Sequence, residues 1–381
     1  MSGPTAASTS PVSTAEPAVN ANWRYWNAVS TAGMPAYASN LAATPGVLTL
    51  ASARWPIVRH RPSSAERPNA YPVCLTTQYM RYAAAELHLL RGPGLRVCAR
   101  GALPAARALL AIAAADRIVQ WNGWGFSTNP LPRNLIVHAA DASAALAARF
   151  PDDAILVRDL DDTSLPGSLA AFAAAGYLLI ASRQVYHFDG RTADYLHRDT
   201  TRRDRKLLAR ADGYSVCEHE DFSASDMPRI AELYRMVCIE RHSHLNVDYR
   251  ERFFTQAWRE RWLELVGLRN GDGRIDAVMG CLRNEGRVST PFLGHDTSLP
   301  ADLGLYRRLV AILLERTAER RERLNFSSGA DEFKRRRGGC PTIEYNALHV
   351  VHLPRARRLA WAAMAAASAR LAGPVLFRIG R

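Results

Sequence analysis

Hydrophobic and polar positions follow two rhythms along this chain, and the rhythm changes near residue 194. Between residues 95 and 188, apolar runs of strand length take turns with Ala- and Leu-rich stretches at helical spacing. This pattern predicts strands at 95–99, 117–121, 154–158 and 177–188, with helices at 103–115, 141–149 and 165–175. Such alternation marks an α/β layer. Ahead of it, 47–50 reads as a short strand and 56–72 as a Pro-, Ser- and Arg-rich loop. Residues 76–90 read as a helix stopped by Arg91-Gly92-Pro93.

Past an Arg-studded helix at 200–211 the order changes. It becomes a strand at 214–218, helices at 225–241 and 248–262, and strands at 263–268, 274–282 and 287–294. A helix at 302–321 and strands at 324–326 and 342–351 complete it. Asn270-Gly271-Asp272-Gly273 and Glu285-Gly286 supply the turns between the three central strands.

Composition then sets boundaries. Residues 1–21 hold almost no large apolar side chain and read as a disordered tail. Residues 22–190 and 191–353 read as two α/β halves, and 354–381 as a basic helix. A net charge of +13 favours anionic partners without choosing among phosphate cofactors, nucleic acid and a membrane surface. The six cysteines form no C-x-x-C pair, and neither a secretory signal nor a long charge-free apolar window occurs. These features point to reduced thiols, a cytoplasmic protein and no integral membrane association. Cys238 and His242, with His244 near, lack a second ligand pair, so no metal site is expected. Arg355, Arg357, Arg358 and Arg370 surround Leu359, Trp361, Met364 and Leu371. That pattern suits a helix packed on its own domain, or a weak membrane-surface contact through 355–371.

Candidate chemistry gathers at 325–339, N-F-S-S-G-A-D-E-F-K-R-R-R-G-G. A short strand, a small-residue turn and a cationic loop suit an anionic ligand, although the spacing is not that of a P-loop. Ser328, Gly329 and Asp331 are candidate substrate contacts. The loop holding Trp121, Asn122 and Trp124 either lines a substrate pocket or forms an aromatic lid over the core.

The element order of the second half is that of the GCN5-related N-acetyltransferase (GNAT) fold. The run 303–341 more closely resembles the C-terminal signature of the Fem-like acyltransferases, in particular the bacterial "peptidogalycan biosynthesis/recognition" group. That signature has an L-x-Y helix, a strand, Gly-Ala, a Lys, Arg-Gly and Pro. Here Leu303-Gly304-Leu305-Tyr306 opens the helix, followed by a strand, Gly329-Ala330, Lys334, Arg337-Gly338 and Pro341. Weaker matches lie at Asp194-Tyr195-Leu196 and from Leu233-Tyr234 through Tyr249 to Phe253-Phe254.

The resemblance implies an α/β (α+β) fold of tandem acetyltransferase-like domains with mixed, mostly antiparallel central sheets, the second better preserved. It implies an N-acyltransferase taking an acyl group from acyl-CoA or an acyl carrier protein, with no tightly bound cofactor. The acceptor would be a small-molecule or amino-acid amine. The alternatives are an aminoacyl-tRNA-dependent transferase acting on a cell-wall precursor or peptide, and a non-catalytic binding protein. In such a fold His295 and Asp296 rank first as general base and Glu240 next, while Tyr345 or Tyr306 would protonate the leaving group. The donor would meet Gly294, Leu303, Gly304, Tyr306, Lys334 and Arg335, with Asp302 as the helix N-cap. Lys334 is expected as an exposed cation facing the cleft, and Arg337 as a neighbour pointing away. Replacing Lys334 by alanine should then leave folding nearly unchanged.

Overall fold

The computed structural model describes residues 21–50, 53–62, 68–89, 92–210 and 212–379. Except for its last residue, the tail expected at 1–21 lies outside the described residues. The first half contains α1 (Ala21–Ala32), β1 (Thr44–Leu50), β2 (Ala53–His60) and a π-helical turn, Thr77–Tyr82, that continues as α2 (Ala83–Glu86). Then come α3 (Pro93–Ile112), β3 (Ile118–Trp121), α4 (Ala139–Arg149), β4 (Ala154–Leu160), α5 (Ser168–Ala174) and β5 (Leu178–Asp189). The second half opens with α6 (Asp199–Ala209), β6 (Tyr214–Cys217) and α7 (Met227–Tyr234). A second π-helical turn, Arg235–His242, leads to α8 (Glu251–Arg259), β7 (Glu264–Asn270), β8 (Ile275–Asn284) and β9 (Arg287–His295). The chain closes with α9 (Leu305–Glu319), β10 (Arg323–Asn325), α10 (Asp331–Arg336), β11 (Cys340–His349) and α11 (Arg355–Ile379).

Three local expectations are corrected. Residues 95–99 belong to α3, which starts with Pro93 in its first turn behind Gly92 at φ 103°. Proline is pre-shaped for that position, and the small residues after it carry no strand alternation. The loop expected from 56 contains most of β2, because Trp55, Ile57 and Val58 pack as strand residues. Pro56 is tolerated there since the ladder to β3 begins only at Ile57. The helix expected at 302 starts at Leu305, with Gly304 at φ 62° as its cap and Asp302 in a preceding 3₁₀ turn.

The strands form one sheet in the order β1-β2-β3-β4-β11-β5-β10-β9-β8-β7-β6. Only β3/β4 and β9/β10 are parallel. The two halves therefore repeat one plan, an antiparallel run ending in a parallel pair. Each half also lends a strand to the other. β11 lies between β4 and β5, and β5 lies between β11 and β10. The aromatic core crosses the halves as well. Tyr25 of α1 stacks on Phe126 at 4.7 Å and meets Trp262, beyond α8, edge-on at 5.1 Å. Helices cover both sheet faces, and among the described residues no helix is long and apolar enough to cross a membrane.

Candidate active site

β9 and β10 pair only over Arg287–Ser289 and Arg323–Asn325, and then they part. On the other side of β9, Leu282 faces Ser289 and Gly280 faces Phe292. Thr290 and Pro291 thus oppose the single residue Cys281, a β-bulge that bends the strand. Pro291 has no N–H to offer a ladder. From the bulge to His295, no strand covers the β10-facing edge of β9, and the Cys238 thiol donates to the Leu293 carbonyl at 3.6 Å. Burial pushes that thiol up to about 12, so it stays protonated as a donor.

Gly294 is pressed against the end of α7. A Cβ there would stand 2.6 Å from the backbone carbon and oxygen of Leu233. Gly294→Ala should therefore lift that helix end and cost about 1–3 kcal/mol. A urea midpoint equal to that of the parent protein would contradict this packing.

Beyond β10 the chain follows β5, with Phe326 N–H donating to Tyr186 O and Tyr186 N–H to Ser327 O. Ser327, Gly329 and Ala330 then take φ values of 57°, 79° and 52°. For Ser and Ala that left-handed backbone costs roughly 1–2 kcal/mol each. Lys334 anchors the turn. Its Nζ donates to the carbonyls of Phe326 (2.7 Å), Ser327 (3.2 Å) and Ser328 (2.8 Å), and it lies 4.7 Å from the Phe326 ring.

This corrects the expected exposed cation. Lys334 sits on α10, only 3% exposed, and burial pushes its ammonium down to about 7. Arg337 does not point away either. It is buried, bonds Asp204 at 2.6 Å and stacks over the Phe333 ring at 3.3 Å. Arg335 is half-buried, Ser328 and Gly329 are exposed on the turn, and Asp331 opens α10.

His295 and Tyr306 stand at the far end of β9, with ring centroids 6.0 Å apart. Burial and the charge of Arg241 lower the His295 pKa, and its Nδ1 is buried without a hydrogen-bond partner. Burial raises the Tyr306 phenol, whose ring packs on Phe333 at 4.8 Å. Asp296 is fully engaged. It accepts from Ser298 N–H (2.9 Å), Ser298 Oγ–H (2.5 Å) and Arg229, with Arg274 at 3.5 Å. Those bonds hold its carboxyl below the usual range against the opposing effect of burial. Glu240 is exposed on the π-helical turn above β9.

Leu303 and Gly304 lie at the start of α9, where a donor phosphate was expected. Leu207 of α6 packs on Gly304, 2.6 Å from where a Cβ there would stand. Arg307 turns to Asp204 (2.6 Å), and Arg308 to Asp212 (2.7 Å) and the Leu303 carbonyl (3.0 Å). The two arginines at this helix end are thus already paired with carboxylates.

Three further candidates lie in the core rather than on a cleft wall. Trp121 is fully buried, Asn122 donates to Pro130 O and accepts from Trp124 Nε1, and Trp124 N–H donates to Asn129. The aromatic loop seals itself, which removes these side chains from solvent. Tyr345 lies on β11 opposite Leu160 and Ala181, separated from the splay by β5 and β10.

The sequence reading passed over a buried ionic cluster beside the splay. Arg183 Nε donates to Glu344 (2.7 Å), and its Nη groups reach Tyr71 OH (3.0 Å), Ser127 O (2.6 Å) and Thr128 Oγ1 (2.9 Å). Asn325, the last paired residue of β10, donates to Glu344 (2.8 Å) and accepts from Ser327 N–H (2.9 Å). A small cleft of about 40 Å³ adjoins it, lined by Thr128, Asn129, Asp159, Arg287, Ser289 and Asn325. Charged residues at inward positions of apolar strands were the available signal. Glu86 of α2 was also passed over. It is exposed, and the like charge of Asp331 adds to a raised carboxyl.

The sequence model of the acetyltransferase (GNAT) domain matches residues 196–335, from just before α6 into α10. Residues 196–335 are a GNAT acetyltransferase domain. The bulge, the splay, His295, Tyr306 and Lys334 all lie inside this GNAT domain. Similar solved structures include L-PGS from Bacillus licheniformis, at 16% identity and TM-score 0.39, covering 55% of this chain and 70% of that one. They also include the C-terminal domain of a putative lysylphosphatidylglycerol synthetase from Agrobacterium fabrum (16%, 0.44, 61% and 76%). FemX is a third (10%, 0.43, 56% and 76%). A comparison with curated proteins gives no match.

Proposed function

We propose that the chain is an N-acyltransferase, moving an acyl group from a thioester to the amine of a small-molecule or amino-acid acceptor at the β9/β10 splay. The observation that carries this reading is the bulged edge of β9, which pairs with no strand beyond Ser289 among the described residues, within the GNAT domain. Free backbone groups on such an edge can pair with an amide-bearing donor arm and polarise its carbonyl. The amine nitrogen attacks that carbonyl, the C–S bond breaks, and the amine proton leaves. His295, kept neutral near pH 7 by its lowered pKa, accepts that proton. Tyr306, whose phenol holds its proton, returns one to the thiolate. The pairing of Arg307 with Asp204 and of Arg308 with Asp212 favours a donor held by its pantetheine arm, which suits a carrier protein at least as well as CoA. The exposed Arg203 and Lys206 of α6 and Arg210 just after it support a second reading, in which an aminoacyl-tRNA is the donor.

The test is amine-dependent release of free thiol from a panel of acyl-CoAs and S-acyl pantetheines. His295→Ala should lower kcat about 100-fold or more. The parent rate should fall on acidification only below the ordinary histidine pKa and stay flat above it, because the neutral imidazole is the active form. If no thioester releases thiol while an aminoacyl-tRNA supports transfer, the thioester reading is wrong.

A further inference from the structure

We infer that α3 and α11 together form a docking surface for an anionic lipid bilayer. The first observation is a charge pattern. No Asp or Glu occurs between Glu86 and Asp116, or anywhere after Glu344, while both stretches are rich in arginine. The second is exposure. Of the six large apolar side chains exposed among the described residues, Val97, Ile112, Val351 and Leu359 lie on or next to these two helices.

The helices lie side by side on one sheet face. Leu110 of α3 and Ala360 and Trp361 of α11 share a cluster with Ile118, Leu156, Ile180 and Leu348 of β3, β4, β5 and β11. Their outer sides therefore look the same way. On α3, Ala99, Leu103, Ala106 and Leu110 turn inward at helical spacing, and Val97, Cys98, Ala105, Ala108 and Ile112 are exposed. Arg96, Arg100 and Arg107 run along one flank of that apolar face. On α11 the exposed stripe is Arg355, Leu359, Ala362, Ala366 and Arg370. An uncharged face fringed by cations lies in the headgroup region with its arginines at the lipid phosphates. Neither helix is long and apolar enough to cross the bilayer. A soluble acidic partner would match the arginines but leave Val97, Ile112 and Leu359 without a purpose.

The test is co-sedimentation of the full chain with vesicles of phosphatidylglycerol and phosphatidylcholine, against vesicles of phosphatidylcholine alone. The mixed vesicles should bind the protein, less so as salt rises, and the neutral ones should not. The triple variant R96E/R100E/R107E should bind at least about tenfold more weakly. The charge-matched control R203E/K206E/R210E, on α6 and just after it, should keep most of the binding. V97S/L359S, which leaves charge unaltered, should also weaken it, with circular dichroism unchanged in every variant. Equal losses from both charge reversals would reduce the effect to bulk charge and overturn the proposal. So would absence of binding to mixed vesicles, self-association lost in the α3 variants, or RNA binding lost in them while vesicles are ignored.

Discussion

Lys334→Ala should lower the unfolding free energy by on the order of 1–3 kcal/mol. The substitution strips three carbonyls, those of Phe326, Ser327 and Ser328, of their shared donor. Ser327 O keeps its bond from Tyr186 N–H and Ser328 is exposed, so the buried Phe326 carbonyl is the one left unpaired, at roughly 1–3 kcal/mol. It also releases a turn with three left-handed residues, so the backbone beside the splay should loosen. Lys334→Met keeps the volume but not the donor and should be nearly as damaging. The pH dependence has a definite sign. The folded pKa of about 7 lies below the ordinary 10.5, so between those values the unfolded chain holds more protons. The parent should gain stability as pH rises through that window, and Lys334→Ala should lose that slope. The neutral amine still donates two N–H bonds, so the turn need not open. Urea unfolding at several pH values checks both statements, and a flat difference between variant and parent would contradict the second.

Glu344→Gln should cost about 3–5 kcal/mol, because it leaves the Arg183 guanidinium buried without its nearest carboxylate. Asp159, at 3.5 Å, is the carboxylate that remains near it. Burial raises the Glu344 carboxyl, which marks how costly its charge is without Arg183. Removing both charges, as Arg183→Met with Glu344→Gln, should be milder than the sum of the single changes by about 1–3 kcal/mol. Strict additivity in urea unfolding would mean that the two side chains do not depend on each other. Asn325 joins Glu344 to Ser327, so the single variant should also disturb the turn at the splay.

The parts of the fold that were legible in the sequence had local causes. The turns at Asn270–Gly273 and Glu285-Gly286 announce the β7–β8–β9 meander without reference to the rest of the chain. β11 was visible as a strand, but nothing in its own pattern says that it enters the first half between β4 and β5. Strand exchange is a property of two distant segments. Lys334 was misplaced for a related reason. Four cations in a row look like a solvated loop until the carbonyls of the turn six to eight residues upstream are seen to converge on one of them. Arg183 and Glu344 lie 161 residues apart in sequence, and each alone reads as an oddity in a strand. His295 and Tyr306 were reached through the resemblance, and it is the structure that brings their rings together at the end of β9.

The most direct test of acyl transfer at the splay is amide hydrogen exchange, with and without a thioester that the protein turns over. Slowed exchange at residues 290–295 and 326–330, with the first turn of α9 unchanged, is the predicted result. Protection of the first turn of α9 with none at 290–295 would place the donor at the helix end and contradict the account.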